Sequence, residues 1–362
     1  MRQNWVDIAK GIAIIAVVIG HIRYSWPNTK LLPLSDICIW LWHVPVFFMI
    51  GGFFLKKDRL INPREFIIGK VKSLYLPLIY IYIPFLIFHN LCIYIGFYDV
   101  RIDYYGKYVS WWGISDFLEH MIEALLCAGR EPILGAMWFG FVLFLALCII
   151  SITNWGIKVI GKRLKEETQE EVLSLIFLCM AVASCSLTQL LGITIPRFNN
   201  TLVAVWLVYV GMVLVQKYGI EFSNGIFAFA CAVIAWHSST SKGAVNLVAN
   251  DFRDVIVLTV TSGACLYVVC YISKKIEKVT WIRLLLSKVG RDSLYIMGLH
   301  FVGFKFATIF LNVLGYNSNL AILVPNVEGH ILFLMLYVIF GVFVPLVIIE
   351  GFRFLKIVIC KR

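Results

Sequence analysis

The sequence predicts an all-α membrane protein: a polytopic bundle of about ten transmembrane helices, forming one domain over residues 1–362. Three observations carry this expectation. Of the 362 residues, 60% are hydrophobic and only 15% charged, whereas a soluble domain is nearer a quarter charged. The apolar residues fall in runs of spanning length, each followed by a turn or a charged cluster. Most of the 32 Lys and Arg sit at the N-terminus and in 56–72, 158–165, 274–291 and 353–362, which are alternate connections. By the positive-inside rule this places both termini on the cytoplasmic side. The same distribution accounts for the formal charge of +11 without a nucleic-acid partner.

The spans follow in order. The first, 6–25, is apolar except for Lys10 and His21. An ionisable group in hydrocarbon is expensive and usually faces a bundle interior or a wet cavity. In a helix, eleven residues at about 100° each return Lys10 and His21 to nearly one face, and the rise separates them by roughly 16 Å. A cation near the surface and an imidazole at depth suit a long anionic molecule that enters from one side. The second span, 35–55, holds His43, a Pro45 expected to kink it, and the Gly51–Gly52 pair, which permits close helix approach. The third, 73–97, opens at Pro77 behind Lys70 and Lys72 and ends at His89 and Asn90.

Residues 98–133 form the one sizeable external connection. Within it Ser115–Leu126 reads as a short amphipathic helix: an interfacial helix with a solvated acidic face at Glu119 and Glu123, or a lid or carbohydrate-docking site with Trp111 and Trp112 as stacking surfaces. Spans at 134–155 (opened by Trp138 and Phe139), 172–192, 200–216, 224–238, 253–273, 289–314 and 329–354 complete the set. The even count agrees with both ends lying on one side. The buried polar groups His89, Asn90, His237, Lys305 and Asn312 read as interfacial caps or helix–helix hydrogen bonds.

Other classes are excluded on composition. The ten Cys show no C-x-x-C and sit mostly in apolar runs, as small hydrophobes do, so no metal site is expected. Asp7 and Lys10 interrupt what would be a signal-peptide core, and no small-residue cleavage site follows.

The ordered motifs resemble the integral-membrane acyltransferases of the acyltransferase-3 type. Lys10 and His21 match the family's basic residue, ten residues, then His, with Lys where many members have Arg; Asp7 and Gly11-Ile12-Ala13 match the surrounding run. His43-x-Pro45-x-Phe47-Phe48 looks like the fucose 4-O-acetylase-like branch, which typically has Ser-Gly where this chain has Gly51-Gly52. Lys70, Lys72 and Pro77 resemble a further element, in which Ser73 replaces the second Arg of an R-x-x-R pattern. Trp138-Phe139 and Gly290-Arg291-Asp292-Ser293 through His300 are also similar to family features.

The resemblance implies a single integral-membrane acyltransferase domain that moves an acyl group, usually acetyl, from cytoplasmic acyl-coenzyme A to a hydroxyl of a cell-surface glycan or its lipid-linked precursor. In that reading His21 is the general base or an acyl-accepting nucleophile, and His43 orients it or polarises the carbonyl. Lys10, Lys70 and Lys72 hold the phosphates of acetyl-CoA. Ser293, His300 and Trp138 line the acceptor path, Ser293 and His300 sharing a helix face. The expected partners are acyl-CoA, a carbohydrate or glycolipid acceptor and the lipid bilayer, and the expected location is a bacterial cytoplasmic membrane. The alternative from another class is a multipass exporter of a polysaccharide or small solute, its buried ionisable residues forming the pathway.

Overall fold

The computed structural model describes residues 4–22, 42–104, 106–129, 131–195, 197–240, 247, 250–251, 254–327 and 331–360, with side chains of the last helix as far as Leu355. Among these the secondary structure is helical, apart from isolated bridge residues such as Asp103 and Tyr108, which pair antiparallel. In chain order the helices are α1 (Asn4–Gly20), α2 (His43–Phe53), α3 (Lys57–Leu60), α4 (Pro63–Ile87), α5 (His89–Tyr94), α6 (Ile114–Leu125) and α7 (Pro132–Ile160). They continue with α8 (Glu166–Gln189), α9 (Phe198–Tyr218), α10 (Asn224–Thr240), α11 (Val255–Ile276), α12 (Thr280–Arg291), α13 (Ser293–Val313) and α14 (Ile331–Cys360).

Seven helices among the described residues are long and apolar enough to cross a bilayer: α4, α7, α8, α9, α11, α13 and α14. The expected ten are therefore not reached. Helices α1 and α10 have 17 residues each, about 26 Å at the α-helical rise against a hydrocarbon core of about 30 Å. Helix α2 has 11 residues, and part of the second expected span, 35–41, lies outside the described residues. So do both chain ends, on which the expectation for the termini falls.

Two connections read as loops are helical. Helix α4 begins at Pro63, ten residues before the expected start of the third span, because proline at a first helical position loses no hydrogen bond. Lys70 and Lys72 consequently lie within the helix, at a π turn covering Val71–Tyr75. Pro77 offers no N–H to the Ser73 carbonyl, and the widened turn sits just ahead of it. Helix α12 fills much of the basic 274–288 connection, with Trp281, Leu284 and Leu285 exposed and Ser287, Val289 and Gly290 buried. Pro45 does not kink the second span within the described residues. It stands in the first turn of α2, after the non-helical Trp42 at φ −135°, where its missing N–H has no partner to lose.

Glycines set the helix crossings. A Cβ on Gly290 would stand 2.8 Å from the Gly11 backbone nitrogen and closer still to the Asp7 carbonyl oxygen. Helices α1 and α12 thus touch backbone to backbone. Gly52 meets the Val208 carbonyl while Gly211 meets Met49, joining α2 to α9; Gly303 lies on Phe340 and Gly341, joining α13 to α14. Small residues at all three crossings let dispersion and backbone contacts replace the hydrophobic drive that lipid does not supply. Helix α1 is central, packed by α2, α11, α12, α13 and α14.

Helix α6 does not lie on the surface with a solvated acidic face. Trp112, just before it, stacks on His89 beyond the end of α4, and the Leu125 carbonyl accepts a 2.5 Å hydrogen bond from Tyr75, midway along α4. The helix therefore dips back along α4. Its exposed stripe is Ile114, Leu118, Ile122 and Leu125, apolar residues that suit lipid. Asp116, His120 and Glu123 are half-buried against the bundle, and Glu119 is exposed.

Candidate active site

Two histidines from opposite ends of the chain meet in the bundle. His21 follows the last residue of α1, and His300 lies in the middle of α13. Their ring centroids are 4.9 Å apart with the planes at 50°, and Phe301 covers the His21 ring edge-on at 5.2 Å. His21 Nδ1 donates to the Val17 carbonyl at 2.8 Å. His300 Nδ1 donates to the carbonyls of Met297 at 2.9 Å and Ile296 at 3.1 Å. A carbonyl only accepts, so each ring carries a proton at Nδ1, and a neutral ring then presents a lone pair at Nε2. That atom is the far corner of the imidazole, aimed away from its own helix. His300 is fully buried and its Nε2 has no partner among the described residues.

The other expected residues are placed as follows. Lys10 is half-buried, its ammonium 4.5 Å above the Phe54 ring just past α2. Helix α2 thus runs antiparallel to α1. Eleven residues up α1 from Lys10 reach His21, and eleven back from Phe54 reach His43, so the two histidines stand at one depth. His43 is buried. One turn on, Phe47 and Phe48 pack against Phe139 at 5.7 and 4.5 Å, and Trp138 is buried beside Phe139 at 6.3 Å.

Ser293 shares a face with His300 but stands seven residues away, roughly 10 Å along α13. Its neighbour Asp292 belongs to an ion-pair cluster: it accepts from Arg353 at 2.5 Å, pairs with Lys288 at 3.1 Å, and both cations also hold Glu350. Burial pushes the Asp292 carboxyl up, but the bonds from Arg353 and Lys288 outweigh it and hold the group below its ordinary value. Lys70 turns inward, half-buried, 5.2 Å from the Phe66 ring, while Lys72 two residues on is exposed. These two do not converge.

An open cleft lies at the Lys10 end, between α3, α7, α8 and α9. Lys57, Lys158 and Lys217 line it, but so do Asp58, Glu166 and Glu170. Lys57 pairs with Glu170, Gln216 donates to the Leu55 carbonyl and Gln169 to those of Gly161 and Leu164. The balanced charge counts against a phosphate cradle there.

The far end is closed by a polar cap that the sequence reading treated as separate interfacial groups. Glu131, fully enclosed, accepts from His89 Nδ1 at 3.0 Å and from the Tyr98 hydroxyl at 2.5 Å. His89 Nε2 meets the Ser110 carbonyl at 3.1 Å. Both ring nitrogens thus face oxygens, the Glu131 carboxyl on one side and the Ser110 carbonyl on the other. Burial and the Glu131 carboxylate push the Tyr98 phenol well above its ordinary value, keeping it a donor. Trp112 is sandwiched between His89 at 3.5 Å and His120 at 4.2 Å, so it offers no free face to a sugar; Trp111 is exposed. Asn90 exchanges both amide hydrogen bonds with the Trp112 backbone, and Asn312 does the same for Ser318. Lys305 is buried and gives its three protons to the carbonyls of Phe97, Leu320 and Ile322. The signal for this cap is weak: Glu131 stands between Arg130 and Pro132, and nothing local ties it to His89.

Among the described residues no three His, Cys, Asp or Glu side chains gather as metal ligands, and the eight described cysteines are free thiols. In comparison with known proteins, a family model described as an acyltransferase domain matches residues 3–350. No curated protein and no solved structure matches the chain.

Proposed function

We propose, from the premise that the chain belongs to this acyltransferase-domain family, that it is a membrane O-acyltransferase moving an acetyl group from acetyl-CoA to a hydroxyl of a cell-surface glycan or its precursor. The observation that carries the reading is the presentation of His21. Its Nδ1–H is pinned to the Val17 carbonyl, which leaves Nε2 as the base, and Lys10 lies on the same helix roughly 16 Å nearer the basic end. That span suits an extended pantetheine arm with its phosphates at Lys10 and its thioester at His21.

The reaction balances on these groups. The acceptor hydroxyl gives its proton to His21 Nε2 as its oxygen attacks the thioester carbonyl carbon. The new C–O bond forms, the C–S bond breaks, and the departing thiolate takes the proton from His21. The Val17 carbonyl on Nδ1–H steadies the transient imidazolium. His43 either orients His21 or polarises the carbonyl that develops charge. The arrangement at Lys70 and Lys72 supports only one of them, the inward Lys70, as a second contact to the donor. The basic end faces the cytoplasm, where acyl-CoA is made, and the cap around Glu131 faces outward, in a bacterial cytoplasmic membrane. The His43–Phe48 pattern supports the fucose 4-O-acetylase-like branch.

The test is acetyl transfer from radiolabelled acetyl-CoA by the purified protein in nanodiscs, with His21→Ala and Lys10→Ala alongside. Loss of transfer in His21→Ala with an unchanged thermal midpoint supports the base assignment; full activity overturns it. Lys10→Ala should raise KM for acetyl-CoA more than it lowers kcat. A lowered kcat at constant KM would remove Lys10 from the donor site.

A further inference from the structure

The unpartnered Nε2 of His300 calls for a donor that none of the described residues provides. His300 is 0% exposed and that nitrogen has no partner, and a buried polar atom left unpaired is costly. The nearest polar ring is His21, at 4.9 Å between centroids, but it cannot help. With its own Nδ1–H committed to Val17, neutral His21 also offers a lone pair at Nε2. Two acceptors then stand on neighbouring rings, and neither can donate to the other. A protein-side tautomer change does not relieve this, because it would turn a lone pair onto the Val17, Ile296 or Met297 carbonyl.

We propose that the pair is a two-hydroxyl reader: the acceptor brings two adjacent hydroxyls, one donating to His21 Nε2 and the other to His300 Nε2. His300 is then a specificity-determining and positioning residue, and the site selects vicinal diols, the arrangement that sugar rings carry. The spacing fits. Adjacent hydroxyl oxygens of a diol lie about one hydrogen-bond length apart, and each reaches its nitrogen at about 2.8 Å, so two rings held side by side are bridged by one diol. The surroundings fit as well. Phe301 and Phe304 pack on His300 at 4.3 and 5.5 Å, giving an apolar wall in which a missing hydroxyl leaves an acceptor with nothing to bind. Sites built this way reject the analogue lacking the group far more strongly than apolar pockets reject an extra one. The diol site rests on the acyl-transfer reading only for which of the two hydroxyls reacts.

The test uses the full chain in nanodiscs, labelled with ¹⁵N-histidine, and two probes: cis-1,2-cyclohexanediol and cyclohexanol. Without acetyl-CoA, the diol should shift two unprotonated Nε2 resonances, one missing in His21→Gln and the other in His300→Gln, while cyclohexanol should shift one. Only one shifted resonance with the diol, or none, overturns the proposal, and this comparison needs only the parent protein. With radiolabelled acetyl-CoA the parent should acetylate the diol about tenfold faster than cyclohexanol, or more. His300→Ala should lose that preference, and His300→Gln, whose amide oxygen can accept near the Nε2 position, should keep part of it. A preference that survives in His300→Ala also overturns the proposal. Two shifted resonances without any acetyl transfer would leave the diol site standing and refute the acyltransferase reading instead.

Discussion

Substituting Gly290 by Ala tests whether the backbone contact between α1 and α12 sets the position of His21. The added Cβ would lie 2.8 Å from the Gly11 nitrogen, where ordinary contact begins at 3.4 Å. Relieving that contact alone needs about 0.6 Å, and the nearer Asp7 carbonyl needs more, so α1 must move by on the order of 1 Å. Both obstacles are main chain, and neither can rotate away. Overpacking of this kind costs about 1–3 kcal/mol, which should lower the thermal midpoint in nanodiscs by several degrees. The same shift carries His21, because a helix moves as a unit, and misplacement of a reacting group by about 1 Å can cost 10²-fold in rate. The control is Gly263→Ala in α11, where a Cβ meets nothing within 4 Å; the better helix propensity of Ala should leave that variant at or above the parent. Scanning fluorimetry and acetyl-transfer rates are the two readouts. A Gly290→Ala protein that melts and turns over like Gly263→Ala would refute the crossing as the element that places His21.

Three further outcomes are expected. Glu131→Gln breaks the buried His89–Glu131 pair from one side and should cost about 3–5 kcal/mol, and His89→Gln added to it should restore part of the loss; equal melting of the single and double variants would show the pair uncoupled. Asp292→Asn should melt below the parent at pH 7. Because the folded carboxyl is held below its ordinary 3.8, its contribution is present above that value and lost as pH falls through the folded one. The difference between parent and variant should therefore close below about pH 4, and a difference persisting at pH 2 would contradict the ion-pair account. Trp112→Ala should lower the melting temperature by removing the ring between His89 and His120, whereas Trp111→Ala should leave it unchanged and raise KM for a glycan acceptor; the reverse pattern would reassign the two indoles.

Hydropathy made the all-α membrane fold legible, because lipid demands long apolar helices. It could not give their count or their ends. Pro63 with Arg64 and Glu65 reads as a loop, yet it starts α4, since charged residues are tolerated where a helix emerges from lipid. Helix α6 was legible as amphipathic, but not which way its faces turned: in a membrane protein the apolar stripe can face outward while Asp116 and Glu123 turn toward the bundle. His21 stood out through its spacing from Lys10. Its ring neighbour His300 was visible only as part of a motif, because a contact between residues 21 and 300 leaves no periodic trace. The Glu131–His89 pair escaped for the same reason, with 42 positions between partners.

Lys305 has a consequence in time. The Phe97 carbonyl that it captures was made 208 residues earlier, and the Ala321 carbonyl that receives the Tyr104 hydroxyl arrives 217 residues after that tyrosine. At about 5–20 residues per second of synthesis, the first half of the cap waits roughly ten to forty seconds for its fastening. Through that interval its main-chain polar groups must remain in water, since hydrocarbon would not satisfy them. The cap is thus a late closure, made only when α13 has entered the bundle. A chain stalled before α13 would be inserted and largely helical, yet open at one end, and quality control could recognise it by that exposed loop alone.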